Sequence, residues 1–165
     1  VVIATHSDQA LELLDQPSES EQQILGALPY QDNDVVLHTD TRLLPKNRKT
    51  WSSWNYSLNT GQDRAVVTYN MNILQGLDAP ETVCVTLNNT GAINPHKILG
   101  RFNYSHPVFS LPGIAAQGRW DEINGRMNTW YCGAYWHNGF HEDGVVSARR
   151  VVEGINNSVN RQVAA

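Results

Sequence analysis

Trp130-Tyr131-Cys132-Gly133-Ala134-Tyr135-Trp136-His137-Asn138-Gly139-Phe140-His141-Glu142-Asp143-Gly144, followed by Val145-Val146-Ser147-Ala148, is the stretch that organises this chain. It opens as an apolar strand, passes through an aromatic loop punctuated by glycine, and ends in an acidic entry to a helix. Gly133, Gly139 and Gly144 remove side chains at the junction, which permits tight turns or the close approach of a ligand. The first amides of the following helix have no intrahelical acceptors, so they suit a phosphate or another anion. An ordinary loop with polar caps has the same spacing, and spacing alone does not choose between the two.

Working outward, 128–132 reads as a strand. Segment 142–155 is the strongest helix, with Val145, Val146, Ala148, Val152 and Ile155 expected on its buried side and Glu142 and Asp143 at its positive end. At the other end of the chain, Val1-Val2-Ile3-Ala4 is wholly apolar and suits a parallel strand covered on both faces. Such a strand needs neighbours, so the chain is expected to be cut from something larger. Thr5-His6-Ser7-Asp8 then offers capping groups for a helix over Gln9-Ala10-Leu11-Glu12-Leu13-Leu14, stopped by Pro17. Ser18-Glu19-Ser20-Glu21 restarts a second helix, with Ile24, Leu25 and Leu28 as its apolar stripe.

The middle is strand territory. Trp51-Ser52-Ser53-Trp54-Asn55-Tyr56-Ser57-Leu58 and Arg64-Ala65-Val66-Val67-Thr68-Tyr69-Asn70-Met71, separated by a turn at Asn59-Thr60-Gly61, read as an antiparallel hairpin. Asp34-Val35-Val36-Leu37-His38-Thr39 and Thr82-Val83-Cys84-Val85-Thr86-Leu87 are further strands, and 98–104 adds another. Short helical turns are expected at Asn72-Ile73-Leu74-Gln75-Gly76-Leu77 and Ile114-Ala115-Ala116-Gln117. The predicted class is α+β, an antiparallel-sheet domain with helices interrupting a larger α/β domain.

Composition excludes several classes. Charged residues make up 17% of the 165, below the roughly 25% of soluble domains, so neutral polar side chains cover much of the surface. The net charge is -4 and the basic residues are scattered apart from Lys46-Asn47-Arg48-Lys49, which argues against a nucleic-acid partner. No apolar run approaches the roughly 20 residues of a membrane span. Cys84 and Cys132 sit in apolar runs and read as buried free thiols, which fits the cytoplasm. Asn55-Tyr56-Ser57 and Asn103-Tyr104-Ser105 are glycosylation-like triplets that matter only in a secreted protein.

Several chemistries are weighed on the residues. His137 and His141 are four apart, but Gly139 lies between them and no His-Glu-x-x-His occurs, so metal binding is disfavoured. His38-Thr39-Asp40 has no Gly-x-Ser-x-Gly elbow beside it, and nothing marks Cys132 as activated. Trp51, Trp54, Tyr56, Tyr69 and Tyr131 form an aromatic population that packs a core or walls an apolar substrate pocket. Trp136, inside the glycine loop, stacks beside a ring system or serves as a lid or core contact.

Leu37-His38-Thr39-Asp40, Trp54-Asn55-Tyr56, Tyr69-Asn70-Met71-Asn72-Ile73-Leu74-Gln75, His106-Pro107-Val108-Phe109 and the run from Cys132 through Gly144 to Ala148 resemble flavin-containing amine-oxidase-like proteins. The closer resemblance is to the C-terminal part of the bacterial branch described as predicted NAD/FAD-binding oxidoreductases, over essentially the whole chain. It implies three parts: 1–6 ends an FAD-binding segment, 7–128 is the substrate domain, and 129–165 returns to a Rossmann-like FAD domain by strand, loop and helix. Cofactor-binding residues implied this way are Gly133, Ala134, Trp136, Gly139, Phe140, Glu142, Asp143, Gly144 and Val145, with Trp136 and His137 as candidates to face the flavin. Ala134 stands where relatives carry an acidic residue, and His6 where many carry Pro. The implied activity is hydride transfer from an amine or an apolar, lipid-like substrate to FAD, with no residue singled out as catalytic.

No Gly-x-Gly-x-x-Gly occurs, nor the acidic residue that follows it. A missing N-terminal FAD-binding segment is therefore the expected partner, beside a small organic substrate. The chain alone is expected to bind FAD weakly or not at all and to be inactive. Exposed sheet edges make a homo-oligomer a further expectation. The alternative is a non-catalytic ligand-binding or protein-interaction domain.

Overall fold

A computed structural model describes the backbone of residues 1–58 and 64–163, and side chains through residue 160. The expected turn at Asn59-Thr60-Gly61 lies outside the described residues. In chain order the elements are β1 (Val2–Ile3), α1 (Ser7–Glu12), α2 (Glu19–Gly26), β2 (Tyr30–His38), β3 (Trp54–Ser57), β4 (Val66–Asn70), α3 (Met71–Gln75), β5 (Cys84–Leu87), β6 (Ile98–Pro107), α4 (Leu111–Gln117), α5 (Trp120–Ile123), β7 (Trp130–Tyr131) and α6 (His141–Val163). The class is α+β, with two sheets. Parallel pairing is confined to β1 and β7 among the described residues, and no Rossmann-type parallel topology is present there. Among the described residues no helix is long and apolar enough to cross a membrane.

The chain forms two compact units, one of residues 1–31 and 106–165, the other of residues 32–105. The expected boundaries at 6/7 and 128/129 both fall inside the first unit, because α1, α2, α4 and α5 belong with the terminal segments.

In the first unit β1 and β7 pair in parallel, Val2 with Trp130 and Ile3 with Tyr131. Ile3 and Tyr131 are buried, whereas Val1 and Val2 are exposed, so β1 is covered on one face rather than on both as expected. Around them α2 contributes Ile24 and Leu25, α5 contributes Trp120 and Ile123, and the loop contributes Tyr135 and Trp136 to one core. The ends of α2 follow from sequence: the Ser18 hydroxyl accepts from the Glu21 amide at 3.3 Å, and Glu21 accepts from the Ser18 amide at 2.8 Å. Glu21 also accepts from the Tyr131 phenol at 2.5 Å. Burial pushes the Glu21 carboxyl up, but the hydrogen bonds from Tyr131 and Ser18 outweigh it and hold Glu21 below its ordinary value.

The orientation of α6 departs from expectation. Its buried row is Ser147 and Val151, with Gly154 and Ile155 half-buried, while Val145, Val146, Ala148 and Val152 are exposed. The physical reason is the indole of Trp130. A Cβ at Gly154 would meet that ring at 2.3 Å, and one at Gly125 would meet it at 3.0 Å, so the ring lies boxed between two glycines. The helix turns its small residues to the ring, and its valine stripe points elsewhere.

In the second unit the sheet order is β3-β4-β5-β2-β6, with antiparallel ladders joining β3 to β4, β4 to β5 and β5 to β2. The expected β3–β4 hairpin is present, with Trp54 opposite Tyr69 and Tyr56 opposite Val67. Val36, His38, Val66, Thr68, Asn70, Cys84 and Thr86 share one face and are buried. His38 Nε2 donates to Thr86 Oγ1 at 2.7 Å, because its Nδ1 already accepts from the Asp40 amide at 3.0 Å. Thr86 continues to Thr68 at 2.9 Å. Asp40 is itself clamped, by two-pronged bonds from Arg42 and by the Asn94 amide at 2.8 Å.

The Gly154→Ala variant is expected to lose about 1–3 kcal/mol of stability in urea denaturation, although alanine is the better helix former, because its Cβ would stand 2.3 Å from the Trp130 ring and force that ring off its packing. An unchanged or raised midpoint contradicts the boxed ring. A second expectation concerns pH. Burial lowers the proton affinity of His38 against a weaker opposing pull from Asp40. Its contribution is therefore complete above its ordinary value of 6.5 and is lost as pH falls below it. Hydrogen bonds from Arg42 hold Asp40 well below its ordinary 3.8, so that contribution fades only at more acid pH. The urea midpoint should drop between about pH 7 and about pH 5, and His38→Gln should flatten that slope; an equal slope in the variant contradicts the assignment.

Candidate functional site

The loop after β7 is built by hydrogen bonds from outside its own sequence. The Gly133 amide donates to Ser147 Oγ on α6 at 3.0 Å. A Cβ at Gly133 would overlap the Tyr135 ring at 2.4 Å, so this glycine serves the close packing of that ring. Residues 134–136 form one tight helical turn, and the Ala134 carbonyl accepts from the amides of His137 and Gly139. The Gln117 side-chain amide donates to the carbonyls of Tyr135 at 2.8 Å and His137 at 2.7 Å, fastening the loop to α4. Gly139 has φ +87°, a left-handed conformation that favours glycine, and it lies beside the Phe109 ring.

The start of α6 follows. The Phe140 amide donates to Asp143 Oδ2 at 2.9 Å, and the Phe140 carbonyl accepts from the Gly144 amide. Among the described residues no acceptor meets the amides of His141, Glu142 and Asp143, nor the amide of Ala134. The Ala134 nitrogen lies 3.9 Å from where a Cβ of Gly144 would stand, with nothing nearer. Gly144 thus leaves a small opening, about the size of one methyl group, between the first turn of α6 and the Ala134 amide. Main-chain donors of this kind suit an anionic group such as a phosphate. The residues present therefore fit the group the resemblance implies.

The residues expected to bind cofactor do not all lie at this opening. Ala134 and Gly144 meet there, with Asp143 half-buried and Glu142 exposed on the same turn. Phe140 and Val145 are exposed and flank it in sequence. Gly133 and Gly139 are held by packing and backbone conformation beside it. Trp136 is buried in the core, beside the Tyr135 phenol but outside hydrogen-bond geometry with it, whereas His137 is exposed. Burial pushes the Tyr135 phenol up, with further pushes from Tyr30 and Cys132, and it pushes the Cys132 thiol up, away from nucleophilic use. Ser147 and Gln117, which position the loop, were not singled out from sequence. Ser147 carries a faint signal, as a polar residue in an apolar helical row.

The second candidate surface is on the sheet of the other unit. Cross-strand pairing puts Val35, Leu37, Trp54, Tyr56, Val67, Tyr69, Val85 and Leu87 on one face. No charged side chain interrupts it. Trp54 is 61% exposed and Tyr56 56%, and most of the others are half-buried. The sheet thus buries its histidine and threonines and leaves its aromatic face open, the reverse of the usual arrangement. Trp51 stands apart, its indole donating to the Pro45 carbonyl at 2.8 Å under the Arg48 guanidinium. Tyr131, grouped with these aromatics by sequence, is buried in the first unit instead.

Cys84 and Cys132 are both buried and free. Burial, with Asp40 nearby, pushes the Cys84 thiol up to about 11. Among the described residues no group of three or more His, Cys, Asp or Glu side chains gathers to hold a metal ion. No protein-family profile matches the chain, and no curated protein matches it.

Proposed function

We propose that this chain is the substrate-facing part, together with one cofactor-facing loop, of an FAD-dependent oxidoreductase of the amine-oxidase-like kind. The observation that carries this reading is the approach of Ala134 to Gly144, which sets the Ala134 amide beside the first turn of α6 after a parallel strand pair. Ala134, His141, Glu142 and Asp143 would hold the pyrophosphate and ribityl side of FAD through main-chain N–H groups. When bound, the flavin supplies the acceptor for a hydride leaving a substrate carbon. The exposed apolar sheet face around Trp54, Tyr56 and Tyr69 suits contact with the apolar part of a substrate. Its lack of charge favours a lipid-like substrate over a small charged amine.

The Gly-x-Gly-x-x-Gly cradle is absent from these 165 residues, so it comes from another segment that adds strands to the open edges of the β1–β7 pair. The chain alone is accordingly inactive and retains no stoichiometric flavin. Two buried free thiols favour the cytoplasm. A second reading, a non-catalytic domain that binds a ligand or another protein, draws on the same open aromatic face, which suits a partner as well as a substrate.

Flavin absorbance separates the two. The protein expressed from its complete reading frame should carry bound flavin, and Gly144→Ala should lower its flavin affinity about tenfold or more while leaving the urea midpoint within about 1 kcal/mol, since the added Cβ meets Ala134 only at ordinary contact distance. A protein without flavin, or a Gly144→Ala variant that binds it equally well, favours the non-catalytic reading.

A further inference from the structure

Beyond its first turn, α6 carries a second feature that the flavin reading does not use. Val145, Ala148, Val152, Ile155 and Val159 recur at alternating spacings of three and four, the pattern of a helix seam that pairs with another helix. Val145 is 54% exposed, Val152 56% and Val159 50%, with Ala148 exposed and Ile155 half-buried at the boundary with the core. The seam lies roughly a third of a turn from the buried row of Ser147 and Val151. Isolated exposed valines need no explanation, but a register maintained over four turns does.

Charge sets the partner. Arg149 and Glu153 line a shallow groove with Val145, Ala148 and Val152 along one edge of the seam. They are four apart, yet they make no ion pair with each other or with any other described residue. Arg150, the neighbour, is fully engaged, stacked 3.8 Å over the Trp120 ring and paired to Asp121 at 2.9 Å. A two-fold axis across α6 near Val151 would bring Arg149 of one chain to Glu153 of another, and Glu153 to Arg149, with the valine seams in contact.

We propose that the exposed valine seam of α6 is a homodimer interface, on which a second copy of this chain packs its own α6 antiparallel and exchanges Arg149–Glu153 ion pairs. The charge pattern is self-complementary, since the two-fold axis sets each arginine against a glutamate. It is independent of the amides at the first turn of α6, so flavin binding and dimerisation can fail separately.

Sedimentation velocity and light scattering on the protein expressed from its complete reading frame test the proposal. A species of twice the protomer mass is expected at micromolar concentration. Val152→Glu should yield the monomer with an unchanged circular dichroism spectrum, because the side chain is exposed. Arg149→Glu and Glu153→Arg, each alone, should weaken the dimer about tenfold by setting like charges in contact, and the double exchange R149E/E153R should restore it. A monomer at all concentrations, a dimer indifferent to Val152→Glu, or a double exchange no better than the single ones would each overturn the proposal.

Discussion

The pairing of Val2–Ile3 with Trp130–Tyr131 is the contact on which the first unit depends. It joins the two ends of nearly the whole chain, so its closure carries a large entropic cost that two paired residues cannot meet alone. Side chains supply the difference. Ile3 and Tyr131 enter the core, the Tyr131 phenol reaches Glu21, the Tyr131 amide donates to Asn124 Oδ1 at 2.7 Å, and the Cys132 amide donates to the Ile3 carbonyl at 3.1 Å. One residue later the Gly133 amide is caught by Ser147 on α6. The position of the α6 first turn, and of the opening at Gly144, is inherited from that strand pair through this short run of bonds.

The second unit depends on a different constraint. Its inner sheet face is lined by His38, Thr68, Asn70 and Thr86, groups that are costly to bury unless satisfied. Here His38 accepts from a backbone amide, donates to Thr86, and Thr86 meets Thr68. Such a chain has a single consistent arrangement, which fixes strand register more sharply than interchangeable valines do. The outer face, freed from holding the sheet together, presents Trp54 and Tyr56 to solvent and is available for an apolar ligand.

The hairpin of β3 and β4 was legible in the sequence because period-two alternation is a local signal, and α2 was legible because Ser18 and Glu21 spell out its cap. The existence of α6 was equally plain, but its rotation was not. Valines on several helical faces left the hydrophobic pattern ambiguous, and the deciding partners, Trp130 and the Gly133 amide, are distant in sequence. Ser147 and Gly154 read locally as a polar residue and a helix weakener, yet both are part of the row against the core. Trp136 drew attention as an aromatic in a glycine loop; only tertiary packing shows that it is buried. The amide donors at the opening follow directly from sequence logic, whereas Gln117 and Ser147, which hold them in place, act through long-range contacts that no local pattern announces.

The central claim is that the amides at the start of α6, with Ala134, receive an anionic cofactor. Hydrogen exchange at single-residue resolution, on the protein expressed from its complete reading frame with flavin bound and after flavin removal, measures this most directly. Slowed exchange with flavin at Ala134, His141, Glu142 and Asp143, beyond any general stabilisation, is the expected result. Exchange at these amides that is indifferent to flavin contradicts it.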